Sequence, residues 1–341
     1  MRSYLASAII GLCFAGVAGT TFAQAATGST ASAKIALSNN YAGNSWRQTM
    51  LKSWSEVADP AVKAHVVAAA PTFTTAENQA TEQAQQIQNL ILQGYKAIVI
   101  DAASPTALNG VIRQACGAGV TVVTFDGIAT EPCAYRIAVD FHKMGAMEID
   151  YMARRLNGKG NLLEIRGLAG VSVDDEIHRG ITDEIRKYPG LKIVGSVHGD
   201  WTQTVAQKQV AGILPTLPKL DGVVTQGGDG FGAANAIREA GRPTPIIVLG
   251  NRQEELAWWA QQHKANGYET MSVTIPPGAS TFAFWVAQQL LAGKKMPHDI
   301  RMPFHEVTAN DLDSVLANTP QGGLANELFS RDQVLKVVDA K

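Results

Sequence analysis

Three features of the sequence predict an α/β chain with two doubly wound parallel sheets. Short β-branched runs alternate with segments of helical period along most of the 341 residues. The runs are continuously apolar rather than alternating, the pattern of parallel strands covered by helices on both faces. About eleven such runs occur, too many for one compact sheet, so the chain reads as two sheets that break near Asp140. A closed eight-fold barrel is the rival architecture, but it holds about 250 residues in a single closed run.

Residues 1–25 carry the marks of a cleavable export signal. Arg2 precedes an apolar core, "YLASAIIGLCFAGVAG", too short for a comfortable membrane span, and small residues at Ala23 and Ala25 place cleavage before Ala26. After it, "KIALS" (34–38) is the first strand, followed by a helix from about Ser45 to Val57. "HVVAAA" (65–70) is a second strand. It leads to a polar helix over 76–92, in which Ala80, Ala84, Ile87, Leu90 and Ile91 share a face. "AIVI" (97–100), "PTALNGVIRQAC" and "VTVVTF" (120–125) continue the alternation. The second series begins with "RIAVD" (136–140), helix 142–157, "NLLEI" (161–165), helix 173–187 and "KIVGSV" (192–197). Helix 203–214, "DGVVTQ" (221–226), helix 231–240, "PIIVLG" (245–250) and helix 253–264 follow. "MSVTI" (271–275) then precedes "PPGASTFAFWVAQQLLAG", a helix with proline near its first turn. Trp258 and Trp259, well inside a helix, read as packing.

Composition narrows the function. Lys plus Arg number 29 and Asp plus Glu 30, with no basic run, so the electrostatic footprint of a nucleic-acid binder is absent. The mature chain keeps Cys116 and Cys133. In an oxidising compartment they either pair, which would contribute about 3 kcal/mol through loop entropy, or remain two buried thiols. No further ligands stand near them for a metal. No G-x-S-x-G or H-E-x-x-H motif occurs, and the histidines are scattered, so no catalytic residue, metal or cofactor is assigned. "VVTQGGDGFGAANAIREAG" misses the dinucleotide fingerprint, and Asp229 within it would repel a pyrophosphate.

Open α/β sheets bind ligands just beyond the carboxyl ends of their strands, and two such sheets facing each other share one cleft. Asn39, Tyr41, Asn44, Trp46 and Arg47 follow the first strand, Asp101 the third and Asp126 the fourth. In the second series Asp174 and Arg179, then Trp201, Gln226, Asp229, Asn251 (beside Arg252) and Thr274 occupy the equivalent places. Carboxylates, amides and guanidinium groups satisfy hydroxyls, and flat aromatics cover C–H faces, so this set suits a neutral polyhydroxylated molecule. Any single Asp or Asn after a strand can equally be no more than a helix N-cap.

In order along the chain, "ALSNNYAGNSWR", "GYKAIVIDAASPTAL", "AGVTVVTFDG", "DEIHRGITDEI", "GDWTQ", "LDGVVTQGGDGFGAANAIREAG", "VLGN" and "SVTIPPG" resemble the periplasmic sugar-binding proteins of ABC transporters, in the ribose, galactose and galactofuranose cluster. The resemblance implies the type I periplasmic binding protein fold, two Rossmann-like, doubly wound lobes joined by a three-strand hinge. It places residues 34–140 plus 276–297 in the first lobe and 141–274 plus 301–341 in the second, with "RMPFHEVT" as a returning strand. It also implies that Asp126 takes ligand hydroxyls, that Trp201 stacks on the ring, and that Trp46 and Arg47 reach the ligand. Asn251 and Thr274 stand where relatives often carry Asp and Gln. The family's usual arginine position is Ile177 here, with Arg179 two residues on, and Gly127 and Gly227 replace an expected Arg and Asn. Those losses point to a smaller sugar, a furanose or a polyol. The implied partners are an ABC permease or, alternatively, a chemoreceptor or sensor kinase. The implied state is a periplasmic monomer.

Overall fold

The computed structural model describes residues 28–76 and 78–340; the export signal expected over 1–25 lies outside the described residues. The first lobe contains β1 (Ile35–Asn39), α1 (Ser45–Lys63), β2 (Thr72–Thr74), α2 (Ala80–Leu92), β3 (Ala97–Asp101), α3 (Asn109–Gly117), β4 (Thr121–Phe125) and β5 (Tyr135–Ala138). The chain then enters the second lobe through α4 (Phe141–Arg155), β6 (Lys159–Arg166), α5 (Ser172–Glu184), β7 (Gly190–His198) and α6 (Gln203–Ile213). That lobe continues with β8 (Gly222–Val224), α7 (Gly230–Glu239), β9 (Ile246–Ile247), α8 (Gln253–Asn266) and β10 (Ser272–Thr274). Last come α9 (Ala279–Leu291), β11 (Asp299–Arg301), β12 (His305–Val307), α10 (Leu312–Ala317) and α11 (Arg331–Asp339).

The first sheet runs β11-β5-β4-β3-β1-β2 and every neighbour is parallel. The second runs β7-β6-β8-β9, again parallel. A parallel bridge from Leu249 to Ser272 extends it to the antiparallel pair β10-β12. Parallel strands buried on both faces must be apolar throughout, and β1 and β3 are buried at all five positions. Trp54 of α1 packs edge-on against Phe284 of α9, ring centroids 5.3 Å apart, in a core that continues through the hinge into α4 and α5. Trp258 and Trp259 belong to a separate core in the second lobe, as packing residues. Cys116 and Cys133 form a disulfide.

Three expectations change. The run 65–70 is not a strand: His65 sits in the left-handed region at φ 55°, Val67 is buried, and only Ala69 bridges to Lys34 before β2 begins at Thr72. "RMPFHEVT" is two strands on different sheets, because Arg301 pairs in register with Ala138 while His305 pairs with Thr274. The carboxyl-terminal tail is divided between the lobes. Helix α10 packs on α8, but α11 packs on α9 of the first lobe, burying Val334, Leu335 and Val338. The chain therefore passes between lobes at residues 138–141, 274–279 and 301–305, and a fourth time near 325. There Ala325 N–H donates to Asn251 O, and Asn326 bonds both Gly278 N–H and the Ser53 hydroxyl.

Candidate functional site

The first wall of the cleft is built by the start of α1. Asn44 caps the helix, its Oδ1 accepting Arg47 N–H at 2.8 Å. The cap fixes the first turn so that Trp46 and Arg47 turn back toward the ends of β3 and β4. Arg47 is buried, and its Nη1 donates to Asp126 Oδ2 at 2.5 Å and also pairs with Asp101 Oδ2. Its guanidinium lies 4.9 Å from the Trp46 ring centre, and Trp46 Nε1 donates to Ile275 O at 3.0 Å. Burial alone would lower the Arg47 pKa, but Asp101 and Asp126 outweigh it and raise it. Burial pushes Asp101 well up, opposed by Arg47 and reinforced by Asp126. The result is a fixed positive group whose Nε and Nη2 remain open, next to an Asp126 whose Oδ1 remains open. Tyr41 closes this side, half-buried, with burial the main cause of its raised pKa.

The opposite wall comes from the second lobe. Asp200 and Trp201 both adopt left-handed backbone, at φ 54° and 51°, as does Asp126 at 55°. Strained non-glycine conformations of this kind persist where the surroundings over-determine them. The turn lays the Trp201 indole directly on the β6–α5 loop: a Cβ built at Gly167 would stand 2.2 Å from the ring, so only glycine fits there. Gln226 is locked in place, Oε1 accepting Gly167 N–H at 3.0 Å and Nε2 donating to Asp174 Oδ1 at 2.8 Å. Arg252 donates through Nε to Gly228 O at 2.9 Å and through Nη2 to Trp201 O at 2.7 Å. Its Nη1 crosses the cleft to the Ser45 hydroxyl of the first lobe. Asn251 donates to Ala325 O at 2.7 Å and keeps its Oδ1 open.

Between the walls lies a cleft of about 680 Å³ of atom-free space, its open mouth included. Of the residues expected at the site, Tyr41, Asn44, Trp46, Arg47, Asp126, Trp201, Gln226, Asn251 and Thr274 line it.

The other five do not. Asn39 is buried at the end of β1, donating to Tyr41 O and Thr74 Oγ1. Asp101 sits behind Arg47. Asp174 is fully buried and pairs with Arg166, so it holds Gln226 rather than a ligand. Asp229 lies beneath the turn that carries Trp201, 2.6 Å from where a Cβ of Gly199 would be. Burial, then Glu255, pushes its pKa well up. Arg179 points outward with its side chain 64% exposed, because Ile177 and Ile181 take the buried face of α5 and position 179 falls opposite.

The periplasmic binding protein domain family matches residues 35–295. The chain belongs to that family. Among solved structures, an ABC transporter solute binding protein from Thermobispora bispora DSM 43833 superposes with a TM-score of 0.83 at 34% identity, over 90% of this chain and 95% of that one. The fold is accordingly that of the type I periplasmic binding proteins. A xylitol-binding protein of Mycolicibacterium smegmatis (strain ATCC 700084 / mc(2)155) is 30% identical over 54% of each chain. The ribose import binding protein of Bacillus subtilis (strain 168) is 25% identical over 67% of this chain and 73% of that one. The chain thus spans about half the length of the first of these curated relatives. The family is one of binding proteins.

Within this periplasmic binding protein frame, sequence reasoning missed much of the lining. Arg252 follows the β9 run in the sequence beside Asn251, but is not among the residues expected to bind the ligand, and it lines the cleft. Phe141, Met144, Val171, Val173 and Ile177 line the cleft from α4 and α5, and Ile275 and Leu324 from the hinge. Apolar residues at the start of a helix read as core, and nothing local separates a core face from a cleft face.

Proposed function

We propose that the protein binds a small carbohydrate or polyol in the interlobe cleft and delivers it to an ABC permease by hinge closure. The observation that carries this reading is the Arg47–Asp126 pair in the first wall of the cleft, which Trp46 and Trp201 also line from different lobes. An arginine held by a carboxylate presents open donors and an open acceptor side by side, the complement of vicinal hydroxyls. Trp46 and Trp201 offer flat faces to the C–H surface of a ring or a folded polyol. A ligand touching both walls binds the closed arrangement in preference to an open one, which shifts the population toward closure. The names of the xylitol- and ribose-binding relatives support the substrate class. The export signal expected at the amino terminus and the family's periplasmic members support the compartment. Thermal-shift measurement across pentoses, tetroses, hexoses, pentitols and inositols tests the reading. At least one compound should raise the melting temperature, and no response from any of them would overturn it.

A further inference from the structure

The geometry points to an amphipathic ligand: a deoxy or alkylated carbohydrate whose hydroxyls face Arg47 and Asp126 and whose oxygen-free end rests on α4 and α5. This deepens the carbohydrate reading above and rests on it. The polar side chains on the second-lobe side of the cleft are largely turned to one another. Gln226 uses both ends of its amide on Gly167 and Asp174. Arg166 pairs with Asp174 and Asp175. Arg252 engages all three guanidinium nitrogens on Gly228, Trp201 and Ser45. Arg179 leaves the cleft altogether.

What the second lobe presents instead is carbon. Val171, Val173 and Ile177 come from the start of α5, and Phe141 and Met144 from the start of α4. The two helices are locked backbone to backbone. A Cβ at Gly145 would meet Ile177 O at 2.2 Å, and one at Gly180 would meet His142 O at 2.0 Å. The apolar wall therefore cannot rotate away to expose polar groups. Val171 and Val173 remain partly accessible within it, available to a ligand.

A hydroxyl pressed against this wall would lose its water without gaining a partner, whereas a methyl or methylene loses nothing. Among the open polar atoms, Arg47 Nε and Nη2 and Asp126 Oδ1 lie on the first lobe, and Asn251 Oδ1 follows β9. Polar and apolar halves thus meet a ligand from different sides.

Calorimetry tests this on matched pairs that differ by one oxygen, D-galactose with D-fucose, L-mannose with L-rhamnose and D-ribose with 5-deoxy-D-ribose, and on one pair that differs by a methyl group, D-ribose with methyl D-ribofuranoside. In the pair that binds, the oxygen-poor or alkylated member should bind roughly 10- to 100-fold tighter. Equal or tighter binding of the fully hydroxylated member in every binding pair overturns the inference while leaving the carbohydrate reading intact. Absence of binding by every compound, in protein shown to be folded by its melting transition, overturns both. Ile177→Gln should bring the ratio within any pair toward one. Because Ile177 is buried, the isosteric Val173→Thr serves as a second variant with less risk to folding. An unchanged ratio in folded Val173→Thr and Ile177→Gln proteins would also overturn the inference.

Discussion

Replacing Arg47 with methionine separates its two roles, neutralising buried carboxylates and presenting donors to the cleft. The Arg47 side chain is 10% exposed, and its partners Asp101 and Asp126 are 0% and 8% exposed. Removing one member of a buried charge cluster leaves the others uncompensated, and such losses run to about 3 kcal/mol. At about 2.1 cal/mol/K of unfolding entropy per residue, that corresponds for a chain of 341 residues to a fall in Tm of roughly 4–5 °C. The sign of the pH dependence follows from Asp101, whose pKa burial already holds well above the ordinary range. Without Arg47 it rises further, and a carboxyl with a raised folded-state pKa contributes stability at low pH that is lost as pH rises through that pKa. The variant should therefore lose more at pH 8 than at pH 5, read by differential scanning fluorimetry against wild type. Arg47→Lys should recover part of the loss, since charge is kept and the planar fork is not. A Tm unchanged by Arg47→Met, or a loss identical at both pH values, would refute the charge-cluster account.

The remaining expectations concern other parts of the molecule. Cys116→Ser with Cys133→Ser removes a loop closure across 17 residues and should cost about 3 kcal/mol, seen as a lower Tm that reductant no longer changes. Glu148 is fully buried and burial pushes its pKa well up, while Thr225 N–H opposes at 2.9 Å. Its contribution is complete below the unfolded value near 4.5 and fades as pH rises. Glu148→Gln should thus flatten the fall in Tm toward alkaline pH, and an unaltered profile would count against this. Arg252→Met removes the hydrogen bond to Ser45 across the cleft. Bonds to charged groups contribute about 1.5–3 kcal/mol, so small-angle scattering of the ligand-free variant should report a more open particle; an identical profile would show the contact to be idle.

Much of the architecture was legible because the apolar runs are continuous and regularly spaced, the one pattern that parallel buried strands demand. The first wall was legible for a related reason: Asn44, Trp46 and Arg47 follow directly on a strand, so their position at a carboxyl end needs only local information. The second wall was legible only in part, through Trp201, Gln226, Asn251 and Thr274. Whether Asp174, Gln226 or Arg252 faces a ligand depends on bonds to Gly167 and Ser45, the latter 207 residues distant, and no local pattern encodes which partner a polar side chain finds. The division of the tail fails similarly. The amphipathic face of α11 announces that Val334 and Val338 will be buried, yet not that α9 rather than α8 will cover them.

The central claim is that the cleft holds a neutral carbohydrate through Arg47 and Asp126. Native mass spectrometry of the folded protein, incubated with an equimolar pool of pentoses, hexoses, deoxyhexoses, pentitols and inositols, tests it most directly. A single stoichiometric adduct with the mass of a neutral carbohydrate or polyol is expected, lost in Asp126→Ala. Protein that stays bare across the pool, or an adduct that persists in Asp126→Ala, would contradict it.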